Sequence, residues 1–246
     1  MNENPTVNGI QKSTPVFAEE TEYLADKLGK LSARQIKKLM SVNDDLAELN
    51  YNRYQNWGKQ NENPAGYMFS GSVYQGLDFT SLSKKEQLIG QEKIRILSGL
   101  YGIIKPLDLI QPYRLEMGTK FKVTAAKTNL YKYWGDKIRI ALDEELAMDK
   151  APILVNCAST EYFKAAQLDK MKARVVTTVF KDKAKDGTYK VNMTYAKLAR
   201  GYMTRYIVQN DCESVEDLKG FDAHGYKFVA KESSENELVF MRDKPQ

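Results

Sequence analysis

The stretch Arg95–Lys122, RILSGLYGIIKPLDLIQPYRLEMGTKFK, decides how the rest of the sequence is interpreted. It is mostly apolar and contains two glycines, Gly99 and Gly102, which allow backbone conformations that other residues resist. Pro106 and Pro112 each fix the backbone angle φ and remove a hydrogen-bond donor. An apolar segment that turns sharply twice has one defined shape. The pattern alone leaves two interpretations open: a buried helix–turn–helix corner with charges at its surface, or a functional platform.

The composition is that of an ordinary globular protein, with 246 residues of which 42% are hydrophobic and 28% are charged. The chain contains no run of 18 apolar residues, and its N-terminus lacks the basic and apolar regions of a secretory signal. Its two cysteines, Cys157 and Cys212, suit a reducing compartment. We therefore expect a cytoplasmic protein that does not associate with membranes.

The distribution of charge says more than the net value of +5. Residues 95–139 carry a local charge of +6 and residues 181–205 a local charge of +5, so the remainder of the chain carries −6. Two basic segments on an acidic remainder can present a positive face to a polyanion. The alternative is that the lysines alternate around solvated helix faces and never converge.

Periodicity and capping signals predict helices alternating with strands and hairpins. The predicted helices cover residues 14–57 (several, with Ser32 and Asn43 as N-caps), 84–97 (after the Ser83/Glu86 capping box), 129–147 and 195–209. The predicted strands cover residues 67–74, 152–156, 174–180, 189–193, 226–229 and 237–241. We expect a mixed α/β (α+β) fold, with a mixed sheet flanked by helices. We expect a single domain over residues 14–242, preceded by a disordered or atypical segment, residues 1–13.

Several kinds of site are hard to build from this sequence. His224 is the single histidine, in a loop where a solvated side chain is the expected state. There is no phosphate-binding P-loop, no GxGxxG and no CxxC motif. Cys157 follows a predicted strand and is either a low-pKa thiol or a buried structural cysteine. We therefore expect no cofactor and no tightly bound metal.

Two features point to nucleic acid. The turn at Gly99 and Gly102, followed by Lys105, resembles the hairpin of a helix–hairpin–helix motif, whose backbone amides hold a DNA phosphate. The glycines are three residues apart here, whereas the usual spacing is two. Tyr131 and Trp134 are interleaved with lysine and can stack on unpaired bases, although their (i, i+3) spacing also suits a hydrophobic core.

Two polar clusters complete the candidate sites. The first follows a predicted buried strand and is either a pocket or a set of helix caps and a surface ion pair; its members are Asn156, Ser159, Glu161 and Lys164. The second lies on the predicted helix 195–209. There Lys197 and Arg200 share a face, and Arg205 lies off that face.

Five motifs together resemble the peroxide-stress protein YaaA family over about residues 14 to 242: LSGLYGIIKPLDLIQPYRLEMG, LYKYWGD, VNCASTEYF, TYAKLARGYMTRYI and the closing ELVF. The resemblance implies a cytosolic protein that protects cells from peroxide by lowering free iron. It also implies DNA binding through a helix–hairpin–helix motif, Ser98 to Lys105 here, and a positively charged cleft. The cleft residues implied by the resemblance are Lys105, Arg114, Lys120, Lys164, Lys197 and Arg200.

The N-terminus departs from the family pattern. Family members open with a short apolar strand and a Ser-Pro-Ala-Lys-like segment, whereas this chain opens with MNENPTVNGIQKSTPVF. The missing serine and lysine are candidates for a pocket in other members, so the departure bears on a pocket more than on the fold class.

The leading interpretation is a protein that binds double-stranded or distorted DNA largely without sequence specificity and limits iron and peroxide damage. The expected DNA contacts are Gly99, Gly102, Lys105, Arg114, Lys120, Lys122, Lys197 and Arg200, with Tyr131 and Trp134 stacking on bases. The alternative is an enzyme acting on nucleotides or nucleic acid. Its candidate catalytic residues are Glu161 (as general acid or base), Lys164, Ser159 and Asn156.

Overall fold

The computed structural model describes residues 1–7, 9 and 11–243 and has the expected mixed α/β fold. The chain divides into two compact units, each assembled from separate pieces of sequence. The first unit contains residues 1–69, 94–138 and 160–167, and the second contains residues 70–93, 139–159 and the chain from Leu168 onward. The prediction of a single domain over residues 14–242 stays a prediction.

Eleven α-helices and nine strands are found in the described part of the chain. The helices are α1 (Ala18–Gly29), α2 (Ala33–Met40), α3 (Asp44–Gln55), α4 (Ala65–Met68), α5 (Ser72–Leu77), α6 (Lys84–Lys93), α7 (Leu130–Trp134), α8 (Lys137–Leu146), α9 (Thr160–Ala165), α10 (Met193–Gln209) and α11 (Val215–Lys219). The strands are β1 (Asn63–Pro64), β2 (Ile96–Ser98), β3 (Gly102–Ile104), β4 (Leu109–Ile110), β5 (Ile153–Asn156), β6 (Arg174–Lys183), β7 (Tyr189–Lys190), β8 (Lys227–Phe228) and β9 (Glu237–Arg242). None of the helices in residues 1–7, 9 and 11–243 is long and apolar enough to cross a membrane.

The first unit begins with the helices expected over residues 14–57. Ser32 caps α2, where its hydroxyl accepts the N–H of Gln35, and Asn43 caps α3 by accepting the N–H of Leu46. Ahead of these helices, the Asn2 N–H donates to the Met68 carbonyl. Residues 8 and 10 of the segment expected to be atypical lie outside the described residues.

The segment expected to hold a helix–hairpin–helix is a β-hairpin instead. Helix α6 starts at its predicted capping box but ends at Lys93, four residues before the predicted end. Strands β2 and β3 then pair antiparallel, with Ser98 opposite Gly102. The Gly99–Gly102 turn therefore joins two strands, because the apolar residues that flank it pair with each other instead of extending a helix.

Two further elements differ from the predictions. Residues 67–74, expected as a strand and turn, contribute to the short helices α4 and α5. The carbonyl of Gly71 accepts the N–H groups of Tyr74 and Gln75, which closes the first turn of α5. The long helix expected after Asn129 is two helices, because Gly135 between them has a positive φ of 54°.

The second unit is organised around a mixed sheet in the order β5-β6-β9-β8, with β7 paired to β6. Strand β6 runs parallel to β5 and β9, whereas β8 and β7 are antiparallel to their neighbours. The hairpin predicted at Asp186–Gly187 is confirmed by the β6–β7 pairing, and the terminal hairpin is confirmed by β8–β9. The aromatic core beneath the sheet contains Phe180, Phe221, Tyr226 and Phe240.

Helices α5 and α10 approach so closely that glycine is required on both. A Cβ atom added to Gly76 would lie 2.3 Å from the carbonyl oxygen of Leu198, and one added to Gly201 would lie 2.0 Å from the carbonyl oxygen of Val73. Real Cβ atoms do not approach backbone atoms this closely. Any side chain at either position forces the two helices apart.

We therefore expect Gly201→Ala to lower the free energy of unfolding by about 3 kcal/mol, because close-packed interiors tolerate overpacking poorly. The matched control is Gly71→Ala at the start of α5. An added Cβ there meets only the Tyr74 ring, at 3.9 Å. Urea denaturation measures both variants, and equal losses for the two would contradict the close approach of α5 and α10.

Candidate functional site

The turn between β2 and β3 satisfies its own backbone amides. The N–H groups of Leu100 and Tyr101 both donate to Ser98 Oγ, over 3.1 and 2.9 Å. The same oxygen lies 2.6 Å from the hydroxyl of Tyr113. A hydroxyl offers one donor and two acceptor positions, so all three positions of Ser98 are used. These two amides, which a helix–hairpin–helix would offer to a DNA phosphate, are already bonded inside the protein.

The two glycines of the turn also face the protein. A Cβ added to Gly99 would lie 2.4 Å from the carbonyl oxygen of Leu115. Gly102 has a φ of +70°, and an added Cβ would lie 2.6 Å from the ring of Trp134. Both glycines are buried. In this structure their role is close internal packing of the hairpin and not close approach of a ligand.

Trp134, expected to stack on a base, is a core residue. Its side chain is fully buried, and its ring N–H donates to the Gly99 carbonyl over 3.0 Å. A buried ring has no free face on which a base can stack. Tyr131 is only half-buried, and its pKa is raised by burial and then by the neighbouring charge of Glu161.

We expect Ser98→Ala to lower the free energy of unfolding by about 2 to 4 kcal/mol, since two buried N–H groups then lose their acceptor. Ser32→Ala is the control in the same unit, because it removes an exposed capping hydroxyl worth about 1 kcal/mol. Chemical denaturation of both variants is the measurement. A Ser98 variant no less stable than the Ser32 variant would show that the turn amides have other partners.

Three exposed lysines of the first unit lie in the loop between β4 and α7. Phe121 and Val123 are buried, whereas Lys120 and Lys122 are exposed, as in an extended segment with one face in the core. Lys127 is also exposed, and its carbonyl accepts the N–H of Val123. None of the three lysines has an ion-pair partner within the part of the chain that the structure describes. We call Lys120, Lys122 and Lys127 the lysine loop.

Lys127 was not singled out from the sequence. The buried–exposed alternation around Phe121 and Val123 is a signal that could have shown which lysines point to solvent.

Of the other predicted contacts in this unit, Arg114 is exposed and pairs with Glu116 at 2.5 Å. Lys105 is half-buried, and its backbone N–H donates to Asp108 Oδ2 over 2.7 Å.

The four residues of the predicted polar pocket are divided between the two units. Asn156 forms a turn at the end of β5: its Oδ1 accepts the N–H of Ala158, and its Nδ2 donates to Thr177 Oγ1. Ser159 is half-buried in the same unit. Glu161 and Lys164 belong to the first unit, on α9.

The carboxylate of Glu161 has a structural partner. Its Oε1 accepts the N–H of Gly118 over 2.5 Å. This hydrogen bond connects α9 to the backbone two residues before Lys120, the first residue of the lysine loop. Lys164 on the same helix is exposed. Their roles as general acid or base and as catalytic lysine stay predictions.

A third group of side chains lies where β5 meets α10. Burial raises the pKa of the Cys157 thiol, while the hydroxyls of Thr178 and Thr204 and the positive charge of Arg200 act in the opposite direction. The Cys157 sulfur lies 3.6 Å from Thr178 Oγ1. The raised pKa favours the protonated thiol over the nucleophilic thiolate, as in a buried structural cysteine. Lys197, one helical turn before Arg200, is exposed.

His224 lies in an exposed loop and stacks on Tyr202, with ring centroids 3.7 Å apart. Among residues 1–7, 9 and 11–243, no group of three or more histidine, cysteine, aspartate or glutamate side chains has the geometry to hold a metal ion. The fold and these side chains define a mixed α/β protein with exposed cations in both units.

Comparison with known proteins gives the family. A family model described as peroxide stress protein YaaA matches residues 1–232. A UPF0246 protein of Polynucleobacter asymbioticus is 47% identical over 232 residues, which covers 93% of this chain and 89% of the relative. UPF0246 proteins of Aliivibrio fischeri and Burkholderia mallei are also 47% identical, over 233 and 234 residues with the same coverage. The chain belongs to the peroxide stress protein YaaA family, and the resemblance seen in its motifs is confirmed.

Proposed function

We propose that this protein binds DNA largely without sequence specificity, in the cytoplasm, as part of the response to peroxide. The lysine loop carries the proposal, since it presents three ammonium groups without ion-pair partners in the described structure. Lys105 and Arg114 of the same unit, and Lys197 of the second unit, are further candidate phosphate contacts. No contact is assigned to the amides of the Gly99–Gly102 turn, because Ser98 already accepts two of them.

Because the lysine loop offers ammonium groups, we expect it to contact DNA phosphates and not to distinguish one base sequence from another. An ammonium group is a compact point charge that suits phosphate oxygens, and phosphate contacts carry no base information. Each contact releases counterions from the duplex, so affinity falls steeply with salt. Because no carboxylate among the described residues pairs with these lysines, little interaction within the protein is lost when they bind DNA.

The link to peroxide rests on the family to which the chain belongs. Iron that meets peroxide near DNA produces oxidants that cleave the strand. A protein that covers the phosphate backbone keeps iron from the strand, because the bound lysines replace the cations that the backbone attracts. We propose that the protein limits iron and peroxide damage in this way.

The test uses the combined variant Lys120→Gln, Lys122→Gln and Lys127→Gln. Binding to two unrelated duplexes is measured between 50 and 200 mM salt. Three lost contacts should reduce the slope of log affinity against log salt by about 2.7, at about 0.9 per phosphate contact. The same variant should no longer protect plasmid DNA from nicking by ferrous iron and peroxide.

The matched control removes three lysines that have carboxylate partners, two of them exposed and Lys219 half-buried: Lys30→Gln, Lys190→Gln and Lys219→Gln. It changes the net charge by the same amount, so a general charge effect would weaken both variants alike. An unchanged salt slope in the lysine-loop variant, or equal losses in the two, would overturn the proposal.

A further inference from the structure

Arg200 differs from every other arginine of the second unit. Each of the others has an oxygen acceptor: Arg139 bonds Asp143, Arg174 bonds Asn236 and Glu235, Arg205 bonds Leu77, Asp78 and Ser81, and Arg242 bonds Asp182. The guanidinium of Arg200 has neither a hydrogen-bond acceptor nor an ion-pair partner among the residues that the structure describes. This half-buried cation is left without an anion.

The groups that influence the Arg200 guanidinium also include no carboxylate among the described residues. Burial lowers the pKa of its guanidinium, and the opposing influence comes from the Cys157 thiol and from no carboxylate. Thr204, one turn further along α10, donates its hydroxyl to the Arg200 carbonyl over 2.9 Å. The group that opposes this shift is therefore a thiol, which in its protonated form does not neutralise a positive charge.

Arg200 lies near the carboxyl end of strand β5, a position where ligands commonly bind in α/β sheets. Cys157 is the first residue after β5, and β5, β6 and β9 run parallel. In open α/β sheets, ligands bind beyond the carboxyl ends of parallel strands. The Asn156 side chain holds the Ala158 N–H, over 3.0 Å, and so fixes the backbone of the loop that follows β5. Arg200 thus lies beside a fixed loop at the carboxyl end of a parallel strand.

We propose that this end of the sheet binds a phosphate group, with the half-buried Arg200 supplying the opposite charge. A cation withdrawn from water is costly unless it is paired, and the residues that the structure describes provide no carboxylate for it. A guanidinium donates two parallel hydrogen bonds to a phosphate, which suits Arg200 better than a lone ammonium would. The ligand class is a terminal phosphate, either inorganic phosphate or the phosphomonoester of a nucleotide.

A terminal phosphate fits this position better than the backbone of a duplex. A phosphomonoester has three free oxygens and a charge close to −2, and it can reach a half-buried guanidinium end-on. A duplex phosphodiester carries a single charge on an outer surface and meets exposed side chains first. This inference is independent of DNA binding by the lysine loop, which belongs to the other unit.

The experiment compares thermal unfolding of the full chain in phosphate-free buffer with unfolding in inorganic phosphate or adenosine 5′-monophosphate. Sodium chloride at matched ionic strength is the reference. Binding to the folded state raises Tm in wild type in a saturable way. Arg200→Met should unfold at or above the wild-type temperature in phosphate-free buffer, because an unpaired cation is removed, and should show no rise with either ligand.

Two further variants separate the geometry of the guanidinium from its charge and from general effects on stability. Arg200→Lys keeps the charge but loses the two-pronged geometry, and we expect its phosphate affinity to fall about tenfold. Arg205→Lys on the same helix removes a guanidinium with three acceptors, so it should lower Tm without changing the phosphate response. The lysine-loop variant should keep the full phosphate response even where it loses DNA binding.

The outcomes separate the sources of the phosphate. Equal affinity for phosphate and the nucleotide assigns the site to inorganic phosphate, and tighter binding of the nucleotide than of phosphate or adenosine assigns it to a nucleotide. No ligand-dependent rise in wild-type Tm would overturn the proposal. It would also be overturned by an unchanged rise in Arg200→Met, or by a Tm loss in that variant without any ligand effect in wild type.

Discussion

The packing of Trp134 against the Gly99–Gly102 turn is the interaction on which the first unit depends. The ring fills the space that a side chain at Gly102 would occupy, and its N–H bonds the carbonyl of Gly99. Because Ser98 accepts two turn amides, the turn can be buried without leaving these donors unpaired. The apolar stretch 95–122 therefore adopts one defined conformation. The Ser98 hydroxyl, the turn amides and the Gly99 carbonyl form hydrogen bonds that stabilise it.

Because the turn is closed in this way, we expect DNA to contact the lysine loop and not the Gly99–Gly102 turn. The glycine turn is closed to a ligand, whereas the lysine loop that follows it alternates buried apolar residues with exposed lysines. Charge is arranged differently in the second unit, where four arginines have oxygen acceptors and Arg200 has none among the described residues. The first unit thus offers solvated point charges, whereas the second unit contains, besides its exposed lysines, one half-buried guanidinium. The first suits a polyanion, and the second suits the end of a small anion.

Local signals in the sequence were sufficient for several elements. The Ser83/Glu86 capping box and the Asp186–Gly187 turn act over a few residues, and both are present in the structure. The Gly99–Gly102 turn could not be derived in this way, because its partner Trp134 lies 35 residues from Gly99 in the sequence. Among candidate site residues, exposure separates Lys120 and Lys122 from Trp134. The Arg200 guanidinium is distinguished by having no partner within the described part of the chain. Both properties arise from the tertiary fold and have no local pattern.

Hydrogen exchange of individual backbone amides, with and without an excess of duplex DNA, tests the central claim most directly. If the turn is closed by Ser98, the amides of Leu100 and Tyr101 exchange slowly in the free protein, and DNA does not change their rates. Amides of the lysine loop, residues 120–127, gain protection when DNA is added. Turn amides that exchange rapidly in the free protein and become protected by DNA, with no change in the lysine loop, would contradict the account.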